Sequence, residues 1–316
     1  MARMLSKSRL MAWRQCPKRL WLQTYRRDLR EIDPAAQARF DAGHRVGEIA
    51  RELRPGGTLI GHDDDLGLAL QETREHLEGT GDRLLFEATL VHGGVLIRAD
   101  VLDRRSGQCT LVEVKSSTAV KPPHVEDVAI QAWVLQGAGL ALERTRLAHI
   151  DNTFVYPGNG EYEGLLVEVD LAAEVRPLLE EVPRWVAEAQ QVLAGDLPGI
   201  DIGAHCSQPY DCEFFGWCSR DEPEYPVSIL PRGAALATAL RADGLRVADL
   251  LEPEPDTTSP APAARTAIPA IGVGRLNIED WAVEFSDASR RTPFRAVMKN
   301  GTRVPSREVA NPAVVS

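Results

Sequence analysis

The stretch RADVLDRRSGQCTLVEVKSS, residues 98–117, decides what kind of sheet this chain forms. Two β-rich runs flank Ser106-Gly107, and a Ser-Gly pair in that position is the local signature of a hairpin with a tight turn. If these two residues form the turn alone, Asp100 lies directly opposite Glu113 on the neighbouring strand. We then expect their Cβ atoms to lie about 4.5 to 5.5 Å apart.

Side chains alternate between the two faces of a strand. Glu113 and Lys115 therefore share the face of Asp100, while Val112 and Val114 point to the other, apolar face. Two adjacent carboxylates repel each other unless a cation lies between them, and hard divalent ions bind carboxylate oxygens. A metal site is the first hypothesis. The alternative is an ordinary half-exposed hairpin whose acidic residue pairs with Lys115.

Length and composition favour a soluble globular protein. The chain has 316 residues, 44% of them hydrophobic, which is enough for one large domain or two smaller ones. We find no apolar run of the roughly 18 residues that a membrane span needs, and the first residues lack the apolar core of a secretory signal. We therefore expect a cytoplasmic protein without a membrane partner.

The charge is unevenly distributed along the chain. A net charge of -10 argues against wholesale coating of a polyanion, yet residues 1–30 contain nine Lys or Arg residues against one acid, Asp28. Arginines alternate there with Trp13, Trp21 and Tyr25, a combination that suits a groove for a nucleic-acid strand. The alternative is a solvated helix face.

The periodicity of apolar residues predicts an α/β or α+β domain, with helices before, within and after a sheet. Helices are predicted in the first 25 residues and at 34–53. A three-stranded meander follows, with Glu87 on its first strand and Asp100 on its second. A helix at 124–139 carries Gln131 at the edge of its apolar face, and strands at 147–155 and 164–169 precede a helix at 171–193.

The chain divides by composition into three parts. Residues 1–222 contain the predicted sheet and helices, and residues 223–252 include a short helical extension. Residues 253–269 hold five prolines, which is linker composition. We expect the stretch 253–316 to be this linker followed by a poorly ordered tail.

Four of the five cysteines suggest a metal centre. Cys206, Cys212 and Cys218 have C-x5-C-x5-C spacing, and Cys16 is left to supply a fourth thiolate, whereas Cys109 reads as a small buried hydrophobe. Such a site would staple the first helix to the segment after the sheet. Four thiolates suit an iron-sulfur cluster or zinc, and the lack of short C-x2-C to C-x4-C knuckles favours iron-sulfur. The alternative is free structural cysteines.

This order of residues resembles the RecB-like exonucleases of the PD-(D/E)XK superfamily, over about residues 5–220. The narrower resemblance is to the branch with a four-cysteine iron-sulfur staple, which includes the AddB nuclease domain and CRISPR-associated exonucleases. The strings QCPKRLW at 15–21, EVKSS at 113–117 and C-x-x-P-Y-x-C at 206–212 are similar to a bacterial subgroup of that branch. The resemblance implies a restriction-endonuclease-like mixed β-sheet core flanked by helices.

The resemblance also implies site residues. Asp100, Glu113 and the backbone carbonyl of Val114 would bind Mg²⁺ or Mn²⁺, and Lys115 would orient water or offset charge on the scissile phosphate. His44 would be a further metal ligand, although a histidine on a helix is by itself more often a packing or surface residue.

Three further assignments follow from the same resemblance. Glu87 is an additional carboxylate or the partner of an arginine such as Arg98. Gln131 matches the glutamine of the family's helix motif or simply caps the apolar face. The tyrosine expected four residues later is replaced by Leu135, with Trp133 the nearest aromatic residue. The residues predicted to contact DNA are Lys18, Arg19 and Trp21.

The function implied is a divalent-metal-dependent DNA exonuclease in repair, recombination or defence. Its partners would be single-stranded DNA or duplex ends, together with a helicase or another repair or defence protein. A second hypothesis is a module that holds DNA or a helicase without cutting. A third is an adaptor in which the cysteines bind zinc and the carboxylates face solvent.

Overall fold

The structure is a computed structural model that describes residues 3–31, 34–62, 64–79 and 81–222, and the strand segments 271–277, 282–287, 294–296, 298–299 and 302–303. The chain forms two compact units, Met1–Arg220 and Asp221–Ser316. The predicted helical extension at 223–252 lies outside the described residues. In the described part of the chain, no helix has both the length and the apolar character needed to cross a membrane.

The first unit contains seven strands and eight helices among its described residues. The strands are β1 (Leu5–Ser6), β2 (Thr58–Leu59), β3 (Arg83–His92), β4 (Val95–Arg105), β5 (Gln108–Lys115), β6 (Leu142–Ile150) and β7 (Leu166–Asp170). The helices are α1 (Lys7–Gln15), α2 (Pro17–Tyr25), α3 (Pro34–Glu52), α4 (Leu66–Leu77), α5 (Pro122–Gly137), α6 (Ala172–Leu179), α7 (Val182–Ala194) and α8 (Phe215–Ser219).

The strands form one mixed sheet in the order β2-β3-β4-β5-β6-β7, with β1 added beside β4. Strands β3, β4 and β5 are antiparallel neighbours, whereas β5 and β6 are parallel. A parallel pair needs a crossover connection, and α5 supplies it. The predicted α/β class, a mixed sheet flanked by helices, is confirmed.

The predicted register of the central hairpin is confirmed. Val101 pairs with Val112 and Arg105 pairs with Gln108, which makes Ser106 and Gly107 the two-residue turn. Both turn residues have positive φ, 50° and 82°, as the favoured hairpin turn requires. The next position along the same register brings Asp100 opposite Glu113.

The predicted single helix at 171–193 is wrong, because two helices occupy this stretch. Helix α6 contains Pro177 and ends at Leu179, and α7 begins at Val182 with Pro183 in its first turn. Proline lacks a backbone N–H and is tolerated in the first turn of a helix, so Pro183 marks a helix start.

Both faces of the central hairpin are apolar. Leu102 and Leu111 belong to the main core beneath α5, and Phe86, Val101, Val112 and Ala148 form a smaller cluster on the opposite face. The face that carries Glu113 is therefore the one that packs against α5. This helix contributes the largest set of buried side chains to the main core: Val128, Ala129, Ile130, Ala132, Val134 and Leu135.

One edge of β4 pairs with two different strands. Near its start, β4 pairs in parallel with β1 at Val95 and Leu96, and near its end it pairs antiparallel with β5 at 101–105. Strands β1 and β5 therefore run toward each other along the same edge of β4. Their carboxyl ends meet beside residues 97–100, which brings Lys7 of α1 next to Glu113.

The second unit contains two small antiparallel sheets among its described segments. Strands β8 (Ile271–Asn277), β9 (Ala282–Asp287) and β10 (Phe294–Ala296) form one sheet in the order β10-β9-β8. Strands β11 (Met298–Lys299) and β12 (Thr302–Arg303) form the other.

Arg104 joins β4 to the loop after α4. Its side chain is buried and donates to the carbonyl oxygens of Leu77 at 2.7 Å and Gly81 at 2.8 Å. Leu77 is the last residue of α4, whose final carbonyl groups have no partner within the helix, and Gly81 lies in the loop that follows. The buried guanidinium group therefore ties the end of α4 and this loop to β4.

We expect Arg104→Met to lower the free energy of unfolding by about 1.5 to 3 kcal/mol, because it removes the charged hydrogen bonds that a buried side chain makes to the carbonyl oxygens of Leu77 and Gly81. The matched control is Arg105→Met, which removes an exposed arginine that pairs with Asp103 and should change stability by less than about 1 kcal/mol. Urea unfolding monitored by circular dichroism measures both values. Equal losses in the two variants would contradict this role of Arg104.

Candidate functional site

The candidate site lies where the carboxyl ends of β1 and β5 meet, beneath the first turns of α5. Four charged side chains form a ring there. Lys7 Nζ lies 2.9 Å from Glu113 Oε1 and 2.9 Å from Asp127 Oδ1. Lys115 Nζ lies 2.5 Å from Glu113 Oε1 and 2.7 Å from Asp127 Oδ2. Each lysine thus bridges both acids.

Gln131 closes the ring from the helix side. Its amide Nε2 donates to Glu113 Oε2 at 2.5 Å and to Asp127 Oδ1 at 3.1 Å. Gln131 is fully buried, so it does not cap the rim of the apolar face but contacts the acids directly. The sequence-based prediction of Gln131 at the site agrees with this placement.

The ring lies in an environment that penalises unpaired charge. Glu113 and Asp127 are both buried, and burial of a carboxylate is costly unless it is paired. Burial raises the pKa of Asp127, but the two lysines outweigh that effect and hold it below its ordinary value. Burial alone would lower the pKa values of Lys7 and Lys115. The nearby acids outweigh this effect, so both pKa values are raised above the ordinary value of a lysine.

Asp100 differs from the other acids because its partner is a backbone group. Its Oδ2 accepts a hydrogen bond from the Val114 N–H at 2.7 Å, which places the Val114 peptide at the site. Burial, and then the charge of Glu113, raise the pKa of Asp100 from 3.8 to about 8 despite the two lysines. The site therefore contains three acidic side chains, Asp100, Glu113 and Asp127, against two lysines.

An open cleft of about 1220 Å³ leads to this site, and its walls include the predicted residues His44, Glu87, Asp100, Glu113 and Lys115. A second groove of about 780 Å³ is lined by Lys7, Asp127 and Lys115. Because Lys115 lines both, the two grooves meet at the charged ring.

His44 and Glu87 lie at the wall of the cleft without entering the ring. His44 is exposed, and its ring centroid lies 4.3 Å from that of Phe40. Glu87 lies 3.9 Å from Arg51, an arginine partner that the sequence did not single out. Burial raises the pKa of Glu87, and Arg51 opposes that shift.

The predicted metal ligands share the cleft but are not assembled as a metal centre. Within the residues that the structure describes, no group of three or more His, Cys, Asp or Glu side chains is arranged to hold a metal ion. The contacts of Glu113 explain this arrangement, because Lys7, Lys115 and Gln131 already donate to both of its oxygens.

The described residues bring the four cysteines of the predicted staple to one cavity but do not show the staple itself. Cys16, Cys206, Cys212 and Cys218 are free thiols that line the wall of one small cavity beside α2, but they do not form a metal-binding group in the described chain. Burial raises the pKa of Cys16 and Cys218, and raises that of Cys212 to about 11. These thiols are therefore neutral near pH 7.

Polar contacts of α1 and α2 hold the cysteine segment instead. Gln15 Nε2 donates to the carbonyl oxygens of His205 and Tyr210, both at 2.7 Å. Arg19 Nη2 lies 2.7 Å from the carboxylate of Glu213. The two ends of the first unit are thus joined by hydrogen bonds and an ion pair.

The residues predicted to contact DNA use their polar groups inside the protein. Lys18 Nζ donates to the carbonyl of Ile200 at 3.0 Å, and Trp21 Nε1 donates to that of Gly195 at 3.0 Å. Arg19 pairs with Glu213 but also lines both grooves. Arg19 is therefore the one of the three that borders the candidate site.

Sequence reasoning missed Lys7 and Asp127. Asp127 lies four residues before Gln131, so the two side chains share one face of α5, and this spacing was a usable signal. Lys7 is separated from Glu113 by 106 residues. Its approach depends on the pairing of β1 with β4, for which a two-residue strand leaves no sequence pattern.

Comparisons with known proteins leave the family open. No model of a protein family matches the chain, and no curated protein matches it. Among solved structures, one described as the crystal structure of SSO0001 is similar with a TM-score of 0.30 and 14% sequence identity, covering 62% of this chain and 78% of that one. A similarity at this level carries no argument about fold or function.

The raised pKa of Asp100 predicts a pH-dependent stability. Between its ordinary value of 3.8 and about 8, the folded protein holds a proton that the unfolded chain has lost, so stability falls as the pH rises through this window. We expect Asp100→Asn to remove this part of the slope. At pH 9 the variant should be more stable than the wild type, by on the order of 1 kcal/mol.

Urea unfolding from pH 5 to pH 9 in a chelating buffer measures this difference. Asp151→Asn is the control, since hydrogen bonds from Thr153 lower the pKa of that exposed carboxyl instead of raising it. Identical pH profiles for the wild type and Asp100→Asn would show that Asp100 does not hold the extra proton in the folded protein.

Proposed function

We propose that this chain is a divalent-metal-dependent nuclease with a restriction-endonuclease-like core, acting as an exonuclease on DNA in repair, recombination or defence. The observation that carries the proposal is the convergence of Asp100, Glu113 and Lys115 at one end of an open cleft. These are the residues that the resemblance to RecB-like exonucleases singles out, and the confirmed hairpin register accounts for their proximity.

The donor set fits Mg²⁺ or Mn²⁺. Asp100 and Glu113 offer carboxylate oxygens, which hard divalent ions prefer, and a bound cation would displace the proton that Asp100 holds at neutral pH. The Val114 peptide is also at the site, since its N–H contacts Asp100. A bound divalent ion would polarise the scissile phosphate and favour attack by water.

Lys115 supplies positive charge at the same place. Its ammonium group lies between Glu113 and Asp127, and Lys115, whose side chain is 25% exposed, lines both grooves. A fixed cation beside a phosphate stabilises the negative charge that develops during hydrolysis. Asp127 and Gln131 hold the ring in place from α5.

The two grooves on either side of Lys115 suit an extended polymer. A strand that enters along α3 could continue past Lys115 beside α1, where Arg14 and Arg19 line the second groove. Both arginines are paired with acids, Glu126 and Glu213, so the groove is close to neutral. A nearly neutral groove suits transient binding of DNA more than tight binding along its phosphate backbone.

One observation favours the second candidate, a module that binds DNA or a helicase without cutting. The residue at the family's tyrosine position, Leu135, is fully buried in the core, and Trp133 packs against His92 with ring centroids 4.8 Å apart. Neither side chain reaches the charged ring, so the substrate contact expected at this position has no counterpart here.

The nuclease proposal predicts that Glu113→Gln and Lys115→Met each lower the rate of DNA cleavage at least about 100-fold, since each removes a charge from the reacting site. The assay follows end-labelled single- and double-stranded DNA in Mn²⁺. Glu168→Gln is the matched control, because Glu168 also bonds two cationic side chains, Arg54 and Arg146, but lines neither groove.

Cleavage that survives in both site variants would rule out the assigned site. Binding of the labelled DNA without any turnover in the wild type would instead support the non-cutting module.

A second part of the proposal concerns the cysteines. Cys16, Cys206, Cys212 and Cys218 all border one cavity, so their sulfurs could together offer four thiolates to a 4Fe-4S cluster, or alternatively to Zn²⁺. The raised thiol pKa values mean that binding would release protons.

Protein purified without oxygen should therefore be coloured and contain iron in proportion to protein, whereas zinc would give a colourless protein. Cys16→Ser should lose the colour and most of the metal. Cys109→Ala, which removes a buried cysteine outside the cavity, should keep both. Wild-type protein that contains neither iron nor zinc, and whose thermal stability does not change when either metal is supplied, would exclude both kinds of centre.

A further inference from the structure

We propose that Lys7 is the counter-ion that links metal binding to phosphate binding at this site, an inference that rests on the proposed metal-dependent function. Lys7 holds Glu113 when no divalent ion is present. When the ion takes Glu113, Lys7 stays on Asp127 and becomes the second cation that faces the phosphodiester.

The contacts show that Lys7 is not needed to neutralise Glu113 alone. Glu113 Oε1 accepts from both lysines, and Lys115 is the closer of the two, at 2.5 Å against 2.9 Å. Asp127 offers a separate oxygen to each lysine, Oδ1 to Lys7 and Oδ2 to Lys115. Lys7 can therefore leave Glu113 and still be held by Asp127.

The balance of charge at the site explains what Lys7 contributes. The two lysines offset Glu113 and Asp127, which leaves the single negative charge of ionised Asp100, while Glu87 has its own partner in Arg51. A divalent ion would turn the site net positive by one charge, which matches one phosphodiester. Without Lys7, the ion would only neutralise the site, and the phosphodiester would arrive as an uncompensated charge.

The backbone fixes Lys7 in this position. Leu5 is fully buried and pairs with Val95 in the sheet, and Ser6 Oγ accepts from the Arg9 N–H to cap α1. Lys7 is the first residue of α1, so its Cα is held by both the strand and the helix. Lys7 lines the second groove, and 19% of its side chain is exposed there.

We expect one variant, Lys7→Met, to change the affinities for two ligands in opposite directions. Lys7→Met should bind Mn²⁺ about ten-fold more tightly, because a competing positive charge a few ångströms from the ion is gone. The same variant should bind a phosphorothioate-linked oligonucleotide in saturating Mn²⁺ about ten-fold more weakly. Isothermal titration measures the first affinity and fluorescence anisotropy the second.

Three variants serve as controls. Lys7→Arg keeps the charge and should restore both affinities toward wild-type values. Lys121→Met removes a lysine that lines the first cleft without contacting Glu113 or Asp127 in the described structure, and should change the Mn²⁺ affinity by less than about two-fold. Asp100→Asn should weaken Mn²⁺ binding.

The outcomes separate this inference from the proposed function. Weaker binding of both ligands by Lys7→Met indicates a merely structural role and overturns the inference, as does an equal effect of Lys121→Met on Mn²⁺ affinity. Opposite shifts in a protein that cleaves no DNA support the inference and refute the nuclease proposal. Absence of Mn²⁺ binding in both the wild type and Lys7→Met overturns both.

Discussion

Burial of Glu113 and Asp127 between the sheet and α5 is the constraint on which the first unit depends. Two carboxylates at that depth are tolerable only when cations and hydrogen-bond donors reach them, and Lys7, Lys115 and Gln131 are those donors. They come from three different elements. The same ring therefore connects the amino terminus, the central hairpin and the crossover helix, and any ligand that binds there must replace one of its contacts.

The long strand β4 makes this ring geometrically feasible. Its one edge accepts β1 and β5 from opposite directions, and the gap between them leaves residues 97–100 without a strand partner on that edge. A sheet edge that ends in this way leaves room for side chains where backbone pairing stops. Asp100 occupies that gap, paired with the Val114 N–H, at the end of a cleft that solvent reaches. The architecture thus combines buried charge with access.

The cysteine segment shows the limit of reasoning from spacing. Three cysteines with regular spacing, and a fourth far away in the chain, predicted one metal staple. The structure brings them to one cavity, but Gln15, Arg19 and Glu213 hold the segment through hydrogen bonds and an ion pair. Spacing reports which thiols can approach one another. It does not report whether their sulfurs are close enough to share an ion.

Local features of the sequence determined the central hairpin, because Ser106-Gly107 sets its register and alternation then assigns Glu113 and Lys115 to one face. They also predicted the helix α5, although Gln131, expected at the edge of its apolar face, is fully buried. Only the tertiary structure decided that this face packs against α5 and that Lys7 and Asp127 complete the ring. The physical reason is range: a turn and a helical period act over a few residues, whereas Lys7 reaches Glu113 across 106 residues through strand pairing.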